Sequence, residues 1–330
     1  VKGVIPSEVP SSYGMEALKA QAVCARSYAY IQMMHNKYEA YGAHVDDSVN
    51  FQVYNKQNQT PETVAAVDET KGQVLSYKGD IIETYYYSTS YGHTGDYEAW
   101  NLDKDAYGYL QGVWVRSEEN PIDLSDEKSF LDYISNVDSA CYESDLKYFR
   151  WNTVLDFQGK DETLLHTIAD RKEHQPEAIS YYKDASKTEK TDSCSNFGSL
   201  QAIKVVKRNQ SGVILELELD FQNGAVSVQS EYNMRAILGC GITNINLLDG
   251  SSVEMSILPS AYISIQAKGD GTYAVLGGGY GHGIGMSQNG AQKLCGQGFD
   301  YKRILNYFYQ DTELTELYQP QNMTKEEGGA

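Results

Sequence analysis

The sequence predicts a mixed α+β fold in which a long central helix is surrounded by antiparallel sheets. Three observations predict it. The stretch from Met15 to about Tyr38 has no Pro or Gly and is rich in Ala, Leu and Met. From Gly198 onward, LQAIKVVKR, GVILELELDF, AVSVQ and AYISIQ are strand-like runs separated by turn residues. The 330 residues are 41% hydrophobic and 22% charged, enough apolar mass for one large core or two ordinary ones, which excludes disorder as a general description.

Each element has a local reason. In the first helix Leu18, Ala22, Ala25, Ala29 and Met33 trace one stripe at steps of three and four, and Ala17, Cys24, Tyr28 and Ile31 trace a second. A helix apolar on two sides belongs at the centre of a fold, and Gly42 offers its stop. A shorter helix is expected over Glu62 to Thr70, closed by Gly72. QVLSY, the turn Lys78-Gly79-Asp80 and IIETYYYSTS then read as a hairpin. Residues 116–196 are strongly charged and weakly periodic, which suggests an inserted lobe with a mobile loop near 184–195. Turns are expected at Asn209 to Gly212 and at Asn223-Gly224, a short helix at EYNMRAILG, and a final helix around Asp300 to Tyr309. The expected organisation is a core of residues 1–115 and 197–318, a smaller inserted lobe at 116–196, and a polar tail at 319–330.

Lys and Arg number 27 against 45 Asp and Glu, a net charge of −18, so the surface repels phosphate backbones and nucleic acid is a poor partner. No run approaches the roughly 20 apolar residues that cross a bilayer. The chain starts at Val1, and Val1 to Pro10 lacks the zones of a signal peptide, so the expectation is that the sequence was cut from, or begins inside, a longer protein. Five Cys lie far apart without a C-x-x-C pair, which fits buried small hydrophobes, with a Cys141–Cys194 bridge open as an alternative. Tyr is the outlier, 27 residues against 8 Phe and 3 Trp. Its flat face and hydroxyl suit sugar rings, and equally suit strand faces.

The most unusual stretch is GGGYGHGIGMSQNGA at 277–291. So many Gly residues imply positive φ or close backbone approach. It lacks the G-K-[ST] of a phosphate loop and the spacing of a dinucleotide fingerprint. Tyr280, His282, Ser287 and Gln288 within it could bond a ligand or lock the loop to itself. Glu8 stands in V-I-P-S-E-V-P, between two prolines that fix the backbone ahead of the central helix. Ser88, Ser90, His93 and Thr94 close a strand with hydroxyls and an imidazole. A zinc reading would use His93 with Asp96 or Glu98, but no H-E-x-x-H or Cys partner accompanies them, and the absence of G-x-S-x-G argues against Ser88 as a nucleophile. No cofactor and no metal are expected.

Three separated segments together resemble the family of stage II sporulation protein D and the amidase enhancer LytB. They are V-x-x-x-E-V-P-x-x-x-x-x-E-A-L-K-A-Q-A-V-C-A-R-S-Y-A at 4–29, F-Q-V-Y at 51–54 with Y-S-T-S-Y-G-H-T at 87–94, and G-Y-G-H-G-I-G-M-S-Q-N-G-A at 279–291. The match covers roughly 1–115 and 198–315. Between them only Tyr148-Phe149-Arg150-Trp151 contributes. The resemblance implies a groove for glycan between the core and the inserted lobe, and a lytic transglycosylase that cleaves the bond between N-acetylmuramic acid and N-acetylglucosamine. Glu8 matches the family's catalytic Glu. A hydrolase would want two carboxylates at a set separation, whereas one Glu suffices if the muramic C6 hydroxyl attacks its own C1. A carboxylate near a helix N-terminus is biased toward its anion, so an apolar, Tyr-lined cleft is expected to raise the Glu8 pKa.

By the same resemblance Gln21, Arg26, Tyr28, Gln52, Tyr54, Ser88, Ser90, His93, Thr94, Tyr280, His282, Ser287 and Gln288 are expected around the groove, with Arg26 a candidate for the lactyl carboxylate or for holding Glu8. Gly95 stands where the family often has an acid, and His93 is kept without the Cys that accompanies it in zinc-binding members. The implied partners are peptide-free glycan strands, a cell-wall amidase or membrane proteins of the engulfment complex. The implied setting is outside the cytoplasmic membrane, anchored by an absent N-terminal segment, in a sporulating bacterium. A peptidoglycan-binding amidase enhancer that does not cut is the alternative.

Overall fold

The computed structural model describes residues 1–35, 52, 55, 57–118 and 122–317. The chain is α+β and divides into two compact units, Val1–Thr84 with Asp311–Ala330, and Tyr85–Gln310.

The first unit opens with α1 (Ile5–Glu8), a single helical turn started by Pro6, then a 3₁₀ turn at Ser11–Tyr13 and the long helix α2 (Met15–His35). α3 (Pro61–Glu69) is capped by Thr60, whose side chain and backbone exchange hydrogen bonds with Thr63 in a capping box. Ile5 and Val9 pack with Leu18, Ala22 and Ala25 of α2 and with Ala66 and Val67 of α3. The other stripe of α2 is equally covered: Ser27 Oγ accepts from the Leu75 N–H at 2.9 Å, and Thr84 Oγ1 donates to the Cys24 carbonyl at 2.7 Å. Both stripes are buried in the first half of the helix, through Cys24 and Ala25, whereas Tyr28, Ala29 and Ile31 are half-buried and Met33 is exposed. β1 (Gln73–Tyr77) turns at Lys78-Gly79 into β2 (Asp80–Ile81). That second arm is only two residues, shorter than the hairpin the sequence suggested.

In the second unit β3 (Tyr86–Tyr87) leaves that hairpin altogether for a parallel partner far along the chain. The next elements are α4 (Lys104–Tyr107), α5 (Glu127–Ile134), β4 (Trp151–Asp156), α6 (Asp161–His174), β5 (Ile179–Tyr182) and β6 (Lys190–Thr191). β7 (Leu200–Arg208), β8 (Ile214–Phe221) and β9 (Gly224–Val228) follow as a meander. The β8–β9 turn is centred on Gln222-Asn223, since Phe221 pairs Gly224; it lies one residue ahead of the expected Asn223-Gly224. α7 (Glu231–Gly239), β10 (Ile245–Leu247), β11 (Ser252–Val253), β12 (Ile263–Ala267), β13 (Thr272–Gly277) and β14 (Met286–Ser287) lead to α8 (Gln288–Gly296) and α9 (Tyr301–Phe308). β15 (Glu313–Glu316) returns to the first unit and pairs antiparallel with β1.

Two five-stranded antiparallel sheets dominate the second unit, ordered β11-β10-β4-β13-β12 and β6-β5-β9-β8-β7. Their shared core runs from Trp151 and Leu155 through Leu217 and Leu219 to Ile263 and Val275. β4 and β5, both within the charged stretch 116–196, pair with strands from beyond residue 224 in these sheets. All five cysteines are free thiols. Cys141 faces the Tyr133 hydroxyl at 3.5 Å and Cys194 the Leu165 carbonyl at 3.8 Å, so the alternative of a bridge between them is not realised.

Candidate functional site

Glu8 ends α1. Its N–H donates to the Val4 carbonyl at 3.1 Å and the next N–H, of Val9, to the Ile5 carbonyl at 3.0 Å, while Ile5 and Val9 on either side are buried. The half-buried Glu8 side chain thus rises from a turn that two core anchors hold in place. α2 begins only at Met15, beyond the 3₁₀ turn and Gly14.

Arg26 braces the same unit. Its guanidinium donates to the Gln73 carbonyl at 2.8 Å, the Val67 carbonyl at 3.2 Å and Thr70 Oγ1 at 3.3 Å, tying α2 to the end of α3 and the start of β1. Gln52 donates to the Ala25 carbonyl at 2.9 Å. Tyr28 is half-buried on α2. Gln21 is 1% exposed, and neither its Oε1 nor its Nε2 has a hydrogen-bond partner. Tyr54 lies outside the described residues.

In the second unit the structure brings the strand-end motif and the Gly-rich motif side by side. β3 and β14 pair in parallel, Thr89 and Tyr280 form an antiparallel bridge, and Gly95 N donates to the Gly283 carbonyl at 2.6 Å. Glycine is required at the closest approaches: a Cβ on Gly283 (φ +83) would lie 2.2 Å from the Tyr262 ring, and one on Gly285 (φ +76) 2.2 Å from the Tyr85 carbonyl oxygen.

His282 is locked. The Ile284 N–H can only donate, so Nδ1 accepts from it at 3.1 Å; Nε2 therefore carries the proton and donates it to the Tyr86 carbonyl at 2.9 Å. Burial pushes this imidazole down to about 4, and it is neutral at physiological pH. His93 is held in the same way. Nδ1 donates to the Thr94 carbonyl at 2.6 Å, the ring meets Trp114 edge-on, and burial pushes it down to about 4. Thr94 Oγ1 accepts from the Val113 N–H at 2.9 Å. Among the described residues no three His, Cys, Asp or Glu converge as metal ligands.

Ser90 and Ser287 meet on a residue that sequence reasoning missed. Glu143, fully buried, accepts from the Ser90 N–H at 3.1 Å, from Ser90 Oγ, and from Ser287 Oγ at 2.8 Å. The two hydroxyls in turn accept from the N–H groups of Gly92 at 3.2 Å and Gly290 at 3.1 Å, so their protons face the carboxylate. Burial outweighs these bonds and pushes the Glu143 carboxyl up to about 7. Nothing in C-Y-E-S-D marks this Glu among the charged residues around it. The Tyr148–Trp151 stretch did carry a signal. Tyr148 stacks on Tyr280 at 4.5 Å, Arg150 donates to the Tyr91 carbonyl at 2.8 Å, and Trp151 Nε1 donates to the Gly279 carbonyl at 3.1 Å. Ser88 contacts Thr89 Oγ1 at 3.2 Å, and Gln288 opens α8, nearly buried.

Residues 1–77, which hold Glu8, α2 and Arg26, match the family model described as SpoIID, Stage II sporulation protein. Residues 92–285, more than half of the chain, match a Domain of unknown function (DUF8618). The chain belongs to the DUF8618 family over its larger part, and its first 77 residues are similar to the stage II sporulation protein D family. It is 29% identical to the amidase enhancer of Bacillus subtilis, over 96% of this chain and 40% of that protein. Against an uncharacterised protein of Brachyspira hyodysenteriae it is 26% identical over 96% of this chain and 66% of the relative. Against stage II sporulation protein D of Bacillus subtilis it is 25% identical over 96% of this chain and 73% of the relative. The chain thus spans less than half of the amidase enhancer and about two thirds of the Brachyspira protein. Within these motifs, the hydrogen bonds of Ser90, His93, Thr94, His282 and Ser287 run to the protein itself, and Glu8 stands half-buried on a pinned turn.

Proposed function

We propose that the chain is a peptidoglycan lytic transglycosylase. It cleaves the bond between N-acetylmuramic acid and N-acetylglucosamine, leaves 1,6-anhydromuramic ends, and acts in septal or engulfment remodelling of the cell wall during sporulation, outside the cytoplasmic membrane. The observation that carries this reading is the rigid mounting of Glu8 by Ile5 and Val9 in the segment that matches the SpoIID model.

The chemistry needs a single proton carrier. Protonated Glu8 gives its proton to the glycosidic oxygen as the bond to the muramic C1 breaks. The resulting carboxylate then takes the proton of the muramic C6 hydroxyl, whose oxygen bonds C1 and closes the 1,6-anhydro ring. Glu8 ends protonated, and no water is consumed. The neutral, locked His282 and His93 donate no second proton at physiological pH.

A second reading, a glycan-binding protein that stimulates a cell-wall amidase without cutting, is favoured by the name of the 29% identical relative, Amidase enhancer. The two separate on Glu8→Gln, assayed on peptide-free glycan strands from purified cell wall. The transglycosylase reading expects glycan release to fall by roughly 10²- to 10⁴-fold while binding to insoluble wall is retained. No release by the parent protein, with binding to insoluble wall retained, favours the binding reading, and equal release by the variant would remove Glu8 as the proton carrier.

A further inference from the structure

The second unit carries a cavity that none of the motif residues line, about 690 Å³ in volume, between the 3₁₀ turn Tyr97–Trp100, the end of α6, the edge of β7 and β8, and the start of α7. From its residues we infer that this groove is a separate binding site for neutral oligosaccharide chains of N-acetylated sugars. The inference stands on this unit alone and does not rest on Glu8.

Three aromatic side chains line the groove: Tyr97, Trp100 and Tyr232. Sugar rings present C–H faces to such surfaces and hydroxyls to the polar groups beside them. Tyr232 is 46% exposed, and the guanidinium of Arg171 lies over its ring at 4.9 Å, which holds the ring in place. Trp100 is fixed edge-on to Tyr85 at 4.9 Å and against His282 at 5.1 Å. Tyr232 is exposed and Tyr97 and Trp100 are half-buried, and rings held in place beforehand lose little freedom on binding.

A polarised chain of hydrogen bonds sets the polar part. Arg171 Nε donates to Asn233 Oδ1 at 2.9 Å, so the Asn233 amide nitrogen points the other way and donates to Gln175 Oε1 at 2.8 Å. Asn233 is fully buried. With its oxygen engaged from behind, Gln175 turns its amide hydrogens toward the groove it lines, positioned for a sugar hydroxyl or an acetamido carbonyl. Gln229 is exposed on the same wall. Among the described residues five that are not glycine have positive φ, and two of them, Asn101 and Ser230, lie on this wall. Charge decides against anionic ligands. Glu98, Glu177 and Glu216 face Lys207, and Glu216 is itself paired with Lys187 at 2.9 Å, so lactyl carboxylates, acidic stem peptides and phosphodiester polymers are repelled.

The test uses the chain itself and the tetrasaccharide of N-acetylglucosamine, which lacks the bond between N-acetylmuramic acid and N-acetylglucosamine that the reaction proposed for Glu8 cleaves. Isothermal titration and tryptophan fluorescence read the binding. We expect saturable binding that Tyr232→Ala with Gln229→Ala weakens by about tenfold or more, and a fluorescence change that Trp100→Phe removes while calorimetric binding persists. Circular dichroism and the urea midpoint of each variant exclude unfolding. Three outcomes overturn the proposal: no binding at millimolar tetrasaccharide, equal affinity in the double variant, or capture of a lysine-rich peptide in place of the sugar. Loss of binding in the double variant, in a protein that releases no anhydro ends from cell wall, would leave the groove standing and remove only the transglycosylase reading.

Discussion

Glu143, His93 and His282 show how burial acts on single groups in opposite directions. Burial raises the carboxyl to about 7 and lowers each imidazole to about 4. Between about pH 4.5 and 6.5 the unfolded chain holds protons on both imidazoles that the folded chain lacks, and the folded chain holds one on Glu143 that the unfolded chain has released. Unfolding therefore takes up about two protons and releases about one, so these three groups make stability rise with pH, by about 1.4 kcal/mol per unit. Glu143→Gln keeps the shape of the clamp on Ser90 and Ser287 and removes the opposing group. Urea titrations across this window should show the slope steepen to about 2.7 kcal/mol per unit in the variant. An unaltered slope would mean that Glu143 exchanges its proton no differently in the folded chain. Glu8 makes its own prediction at this scale: its substitution by Gln removes glycan release and spares the fold, because the contacts that pin α1 belong to Ile5 and Val9.

The Gly-rich loop is the element whose sequence is most directly explained by its surroundings. At Gly285 both the positive φ and the 2.2 Å approach of the Tyr85 carbonyl exclude a Cβ, and the obstructing atom is backbone. Gly285→Ala should therefore lower stability by more than about 2 kcal/mol, read as a shift in the urea midpoint, whereas Gly296→Ala, where a Cβ meets open space, should not. α2 offers a second case. Arg26 reaches three acceptors with a planar fork that Lys cannot reproduce, so Arg26→Lys should cost about 1–2 kcal/mol in spite of the conserved charge. If the urea midpoint does not move, Arg26 serves the ligand and not the junction of α2, α3 and β1. At the β8–β9 turn the one-residue offset follows from pairing: Phe221 takes Gly224 as its partner, and a Cβ at Gly224 would lie 2.4 Å from the Phe197 ring.

Across the whole molecule, what was legible in the sequence was local. The two apolar stripes of α2, the turn at Lys78-Gly79 and the meander β7–β9 follow from periodicity and turn residues a few positions apart. Two of the motif segments, 87–94 and 279–291, hold residues that bond one another, and most of their polar groups bond within the protein. What stayed hidden depended on partners distant in sequence. β3 reads as the arm of a hairpin, but its tyrosines pair with Met286-Ser287, nearly two hundred residues away. β4 lies in a stretch whose charge suggests a lobe, and yet it is the middle strand of a sheet completed by β10 and β13. Glu143 is invisible for the same reason, since its two serine partners come from opposite ends of the second unit.

The most direct test of the central claim, that Glu8 closes an anhydro ring without water, is to digest peptide-free glycan in water enriched in oxygen-18 and weigh the new ends by mass spectrometry. The account predicts anhydromuramic ends with no label, and none of them from Glu8→Gln. New reducing ends that each carry one labelled oxygen would contradict it, because they would show that water, activated by a second carboxylate, had attacked C1.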